Sequence, residues 1–186
     1  YYGRRTPAFQ PVRRAFQPLR AALAVENGRV LVFGVNEGPA WSGELHCGLA
    51  ALAGGWPLEV RQDVSLPANA SILLAEFPLA RWEALGVESH AAYARLTCPD
   101  GLAAQDVLFL PTFAEVRWPA ARVNVERGAD TVTFTSPTFA WRVCLDLDGE
   151  LPLPDNFFDL LPGVPYTLPW TAALGEPKVL RVGNAG

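Results

Sequence analysis

From about Leu23 onward, apolar and polar residues alternate with a period of two, the spacing of strands that bury one face. Asn27-Gly28 ahead of "RVLVFGVN" marks a tight hairpin. In "GELHCGLAAL", Leu45, Cys47 and Leu49 fall on one face while Glu44 and His46 fall on the face turned to water. "PLEVRQDVSL" repeats the pattern with Leu58, Val60, Val64 and Leu66 against Glu59, Arg61 and Asp63. "NASILLAEF", "AAYARLTC" and "DVLFLPT" complete a first set of strands. One helical turn over "PLARWEALG", stopped by Gly86, interrupts that set. Near Trp118-Pro119 the pattern restarts with "RVNVE", "DTVTFTS", "FAWRVCLDL", "NFFDLL", "PYTLPW" and "KVLRV". There Val132 and Phe134 oppose Thr131, Thr133 and Thr135, and Trp141, Val143, Leu145 and Leu147 oppose Arg142, Cys144 and Asp146. Strands at this density without intervening helices predict an all-β chain of two immunoglobulin-like sandwiches, over residues 21–118 and 119–186.

The opening "YYGRRTPAFQPVRRAFQPLR" reads differently, as a short helix in a segment of residues 1–20. Thr6 suits a cap, Pro7 the first helical position, and Phe9, Val12 and Phe16 share one face. Pro11 removes a backbone donor and predicts a short or kinked helix ending near Pro18. No partner helix for its apolar face is visible further along.

Composition agrees with many short elements joined by turns: 50% hydrophobic and 18% charged residues, with 16 Gly and 17 Pro among 186. A net charge of -4 supplies no positive field for a phosphate backbone or an anionic lipid surface, which argues against nucleic acid and membrane partners. Lys178 is the only lysine and Ile72 the only isoleucine, a bias that suggests a high-GC bacterial source. The chain has no methionine, so it reads as a piece of a longer one. Neither a charged leader with an apolar centre nor an apolar run of about 18 residues occurs. The three cysteines, Cys47, Cys98 and Cys144, form no close pair and read as reduced thiols of a cytoplasmic protein. Cys47 and Cys98 point inward, where a bridge between sheets is geometrically conceivable, and Cys144 points outward.

Candidate chemistry is sparse. Glycoside hydrolysis needs two carboxylates roughly 5 to 9 Å apart across a sugar, and the acids here are scattered over many strands and turns. "DLDGE", from Asp146 to Glu150, is the densest acidic run, but a helix-loop-helix calcium site would want glutamate where Phe157 stands. An Asp-Gly turn accounts for it, and no metal is expected. His46 and His90 have no metal spacing and no evident catalytic role. No phosphate cradle, nucleophile elbow or cofactor motif appears. Trp41, Trp56, Trp82 and Trp118 lie next to turns, so a carbohydrate-binding module that stacks sugars on Trp41 or Trp82 is the sharper alternative; Trp141 and Trp170 fall on apolar phases and read as core.

"DNFFDLLPG", from Asp155 to Gly163, resembles a signature in the last immunoglobulin-like domain of β-mannosidases of glycoside hydrolase family 2. "YYGRRTPAFQPVRRAFQPL" resembles the place where that family's catalytic barrel ends in its last helix, and "RVLVFGVNEGPAWSGELHCGL" the opening of the sandwich that follows, with a Val-Asn turn. The resemblance departs at "FLPTFAEVRWP", where many relatives carry a Pro-Lys step, and at Pro11. It implies a parent enzyme that removes terminal β-linked mannose from oligosaccharides with retention, using two glutamates upstream of Tyr1. No residue here matches either glutamate, so the chain itself is expected to be non-catalytic and free of cofactor. Its expected partners are the upstream barrel of the same chain or another subunit, and its expected role is bracing; an unrelated adhesive pair of sandwiches is a further alternative. Within the signature, Asp155 and Asn156 are expected to hold a turn, Phe158 and Leu160 to enter the core flanking Asp159, and Pro162-Gly163 to reverse the chain.

Overall fold

The computed structural model describes residues 4–185, and they form two compact units. One comprises Gln17–Arg117; the other joins Trp118 onward to the N-terminal segment up to Phe16. The mainly β reading holds in both. The N-terminal segment carries helix α1 (Phe9–Ala15), which is capped by Ala8 without a side-chain bond rather than by Thr6. Thr6 contributes its carbonyl instead, accepting the Phe9 amide at 2.9 Å. Pro11 is the third helical residue, where no intrahelical acceptor awaits an N–H, so it does not break the helix.

In the Gln17–Arg117 unit, strands β1 (Leu19–Glu26), β2 (Arg29–Asn36) and β5 (Ala70–Pro78) form one antiparallel sheet in the order β1-β2-β5. Strands β3 (Trp41–Ala51), β4 (Leu58–Leu66), β6 (His90–Cys98) and β7 (Gly101–Leu108) form the other, in the order β4-β3-β6-β7. Relative to the constant-type immunoglobulin arrangement, the fourth strand has crossed to the second sheet. Asn27 and Gly28 both take positive φ, as a two-residue turn that follows the strand twist requires. The Gly28 carbonyl then accepts the Leu79 amide at 2.9 Å, meeting an orphan donor at the start of helix α2 (Leu79–Leu85). Val30 and Val32 from one sheet face Leu45, Cys47, Leu49, Ala92, Ala94 and Leu96 from the other, with Trp82 of α2 closing the core.

The other unit is smaller. Strands β8 (Asn124–Arg127), β9 (Thr131–Thr135) and β12 (Tyr166–Pro169) pair in the order β12-β9-β8, and β10 (Ala140–Val143) pairs with β11 (Phe158–Leu160). A short 3-10 turn covers Ala172–Leu174. Phe158 and Leu160 enter the core as expected, and the Phe158 ring lies parallel to Tyr166 at 4.5 Å and beside Phe134 at 5.3 Å. "KVLRV" does not build a strand; it contributes one isolated bridge, Cys144 with Arg181.

Three expectations about side-chain direction fail, and one about exposure, each for a physical reason. Arg142 takes φ +53° and shifts the β10–β11 register between Ala140 and Val143, so strict alternation stops there. Trp141 is therefore only partly buried, Cys144 is 1% exposed rather than outward, and Leu147 is 55% exposed rather than core. His46 does lie on the outer face of its sheet, yet it is 3% exposed, because the Trp56 and Tyr93 rings pack on it at 5.4 and 4.9 Å. Cys47, Cys98 and Cys144 are all free thiols. No described helix is long and apolar enough to cross a membrane.

Two consequences are measurable. Phe158→Ala should cost about 3 to 5 kcal/mol in a denaturant titration, since it empties a core site rather than a surface one. Burial, reinforced by the Arg61 charge and opposed by Glu59, holds the His46 pKa below its ordinary 6.5. The unfolded chain then takes up a proton below that pH which the folded chain refuses, so stability falls as pH drops through about 6.5. His46→Gln should flatten that slope in melts recorded between pH 7.5 and 5 (values spanning roughly the ordinary histidine range).

Candidate functional site

The Asp155–Gly163 segment folds around side chains that replace missing sheet pairing. Pro152 and Pro154 supply no N–H for a ladder, so the loop cannot satisfy itself as a strand would. Asn156 extends the β10–β11 pairing with its own amide: Oδ1 accepts the Leu145 N–H at 2.8 Å, and Nδ2 donates to the Asp146 carbonyl at 2.6 Å. Asp159 accepts the Arg142 N–H at 2.8 Å, holding that residue in its left-handed conformation. Asp159 keeps part of its surface accessible but is closely surrounded by protein, and burial pushes its carboxyl above the ordinary range, against the pull of the Arg142 charge. Leu161 opens the reversal: the Val164 N–H donates to its carbonyl at 3.1 Å, with Pro162 presetting the turn and Gly163 at φ +70°.

The loop's remaining carbonyls are met by α1. Gln10, 5% exposed, donates to the Leu153 carbonyl at 3.2 Å, and Arg13 donates to Pro154 at 3.2 Å. Arg14 reaches further, donating to Asn156 at 3.2 Å and Phe157 at 2.9 Å. The same guanidinium pairs with the Asp155 carboxylate. That carboxylate also accepts the Asn156 amide at 2.7 Å and the Tyr166 hydroxyl at 2.6 Å. Burial, then the Asp155 charge, pushes the Tyr166 hydroxyl pKa far up, so it remains a donor. Five N–H groups in a rigid fork let one arginine serve a carboxylate and two carbonyls from two separate nitrogens, a spread that the single ammonium of lysine does not have.

Gly149 allows the chain before the helix to come close. Its carbonyl accepts the Arg5 amide at 3.1 Å, and a Cβ built there would stand 1.9 Å from the Arg5 carbonyl oxygen. Arg4 pairs with Glu150 at the rim. The "DLDGE" carboxylate is occupied by its own loop: Asp146 accepts the amides of Asp148, Gly149 and Leu151 at 3.1, 3.0 and 2.7 Å. Among the described residues no group of three or more metal-ligating side chains gathers. A shallow cleft beside Gln10, Gly149 and Asn156 has room for about one water molecule, not a sugar ring.

The other sequence candidates lie elsewhere. Trp82 is fully buried and its indole N–H donates to the His90 carbonyl at 3.1 Å, so it offers no ring face to a sugar. Trp41 is partly buried against the core of its sandwich, and a Cβ on Gly43 would stand 2.5 Å from its ring. One cluster escaped the sequence reading: the His46 Nε2 lies 2.8 Å from both the Tyr93 hydroxyl and the Glu59 carboxylate. Its members sit on three neighbouring strands, a juxtaposition that alternation alone cannot reveal. The α1 contacts were equally hidden, since Gln10, Arg13 and Arg14 read as a solvated helix face.

Solved structures share this fold. The chain is similar to a β-D-mannosidase from Dictyoglomus thermophilum with a TM-score of 0.82 and 24% identity, over 97% of this chain and 23% of that one. It is also similar to the Amycolatopsis orientalis exo-chitosanase CsxA, with a TM-score of 0.60 and 21% identity, over 96% of this chain and 27% of that one. The chain thus spans about a quarter of the length of the solved structures it matches. No family model matches the sequence, and no curated protein matches it either. At these identities what is shared is the β-sandwich fold.

Proposed function

We propose that this chain is a non-catalytic accessory region of a β-mannosidase-like enzyme of glycoside hydrolase family 2, and that its Asp155–Gly163 segment clamps the helix that ends the catalytic barrel. The observation that carries the reading is the inverted docking of α1. Its polar side is fastened to the loop through Gln10, Arg13 and Arg14, while Phe9, Val12 and Phe16 on its apolar side are 41, 51 and 80% exposed. A helix held this way offers its hydrophobic stripe to a further layer. Similarity over nearly the whole chain to a quarter of a β-D-mannosidase supports the same reading. The buried Trp82 and packed Trp41 weigh against a sugar-stacking module.

The clamp would transmit stability to the barrel without touching substrate. In the parent enzyme, Arg14→Ala should lower stability by about 2 to 3 kcal/mol, because it removes the charge partner of Asp155 and the side-chain donor to the Asn156 carbonyl. Asp155→Asn should show non-additivity with it in a double-mutant cycle. Hydrolysis of p-nitrophenyl β-mannoside should keep its kcat at permissive temperature and lose only thermal half-life. A parent whose upstream chain lacks β-mannosidase activity, or an Arg14→Ala enzyme as heat-stable as wild type, would discard the proposal.

A further inference from the structure

Strand β2 is apolar on both faces. Val30 and Val32 point into the sandwich, whereas Leu31, Phe33 and Val35 occupy the opposite phase and take no part in the core. Their cross-strand partners continue the outer face: Ala24 and Glu76 flanking Leu31, Ala22 and Leu73 flanking Phe33, and Arg20 with Ser71 flanking Val35. Leu73 is 48% exposed. The charges flank the apolar centre at Phe33 and Leu73, Glu76 beside Leu31 and Arg20 beside Val35, and each is paired: Arg20 with Glu37 at 2.7 Å and Arg29 with Glu76 at 2.6 Å. Strand β4 shows the contrast, since its outer residues Glu59, Arg61 and Asp63 are the polar ones that a solvated sheet face carries. A strand with hydrophobic residues on both phases is the pattern of a sheet covered on both sides.

The size of the face selects its occupant. Strand spacing of ~4.8 Å and a rise of ~3.4 Å per residue make the three-stranded surface about 14 by 27 Å. Covering it would bury about 800 Å² summed over both partners, below the roughly 1,200 Å² at which separate proteins hold together. The same area falls within the ~600 to 1,500 Å² typical of interfaces between domains of one chain. The rim charges are paired within the sheet, leaving little field to steer a separate partner, whereas tethering supplies a high effective concentration.

We propose that the outer face of β1-β2-β5, centred on Phe33 and Leu73, is the seat of another domain of the same polypeptide, encoded upstream of Tyr1. This deepens the accessory-region reading and rests on it. Hydroxyl-radical footprinting of the full-length protein tests it, with Leu180 as an internal reference because its 51% exposure matches the 48% of Leu73. Leu73 should oxidise about fivefold more slowly than Leu180, as expected of a side chain from which water is excluded. The protection should not change with protein concentration, and Phe33→Glu should abolish it. Equal oxidation of Leu73 and Leu180 overturns the inference. So does protection that appears only at concentrations where sedimentation shows a dimer, which would assign the face to a second copy. β-Mannoside hydrolysis by the same preparation is scored separately: inactivity with Leu73 protected discards the glycosidase reading and leaves the interdomain face standing. An intact mass no larger than this chain overturns both.

Discussion

A backbone that cannot pair in a sheet and cannot reach water must find donors elsewhere, and this constraint organises the smaller unit. The run from Leu153 to Phe157 carries carbonyls that no strand can serve, because proline stands at 152 and 154 and Phe157 takes φ +55°. A left-handed phenylalanine costs about 1 to 2 kcal/mol. It persists because its carbonyl lies between two guanidinium groups, Arg14 at 2.9 Å and Arg142 at 3.4 Å. The helix, the loop and the core then depend on one another: Arg14 holds Asp155, Asp155 holds the Tyr166 hydroxyl, and the Tyr166 ring stacks on Phe158.

Buried asparagines perform the same service at three other joints. Asn36, 3% exposed, donates to the carbonyls of Pro39 and Pro67 at 2.7 and 3.0 Å and accepts the Gly38 amide at 3.0 Å. Asn184, 8% exposed, joins Pro119, Phe139 and Trp141 at 2.9, 2.8 and 2.8 Å. Asn156 does so between Leu145 and Asp146. Only a side chain with both a donor and an acceptor can stand in for a peptide group. Aspartate at any of these sites would keep the acceptor and turn the donor into a buried charge beside a carbonyl.

Regular strands were legible in the sequence because a buried face imposes period two, which composition cannot disguise. β2 and β9 follow their alternation, whereas β3 and β6 are buried on both phases in their central residues; the core positions of Phe158 and Leu160 were read from alternation too. Legibility ended where backbone geometry or distant side chains decide. Arg142 breaks the phase of β10 through a left-handed residue that its type does not announce. Trp82 looked like a turn-side aromatic but fills the sandwich, because the short helix α2 turns this one residue wholly into the core. The Arg14 contact with Asp155 joins residues 141 apart in sequence. Nothing local distinguishes Arg14 from Arg13, whose guanidinium stays near solvent.

The polarity of α1 carries this reasoning one step further. A helix that only had to stabilise its own unit would turn Phe9, Val12 and Phe16 inward and leave its arginines in water, because burying apolar area stabilises at about 25 cal/mol per Å² while ordering arginines costs side-chain entropy. Here the preference is reversed, with Gln10 buried and Phe16 80% exposed. The reversal is physically consistent because Gln10, Arg13 and Arg14 donate to four loop carbonyls and Arg14 pairs with Asp155, and an unpaired buried group costs about 1 to 3 kcal/mol. It follows that the apolar stripe is not what holds α1 in this unit, and so remains available to whatever packs on its other side.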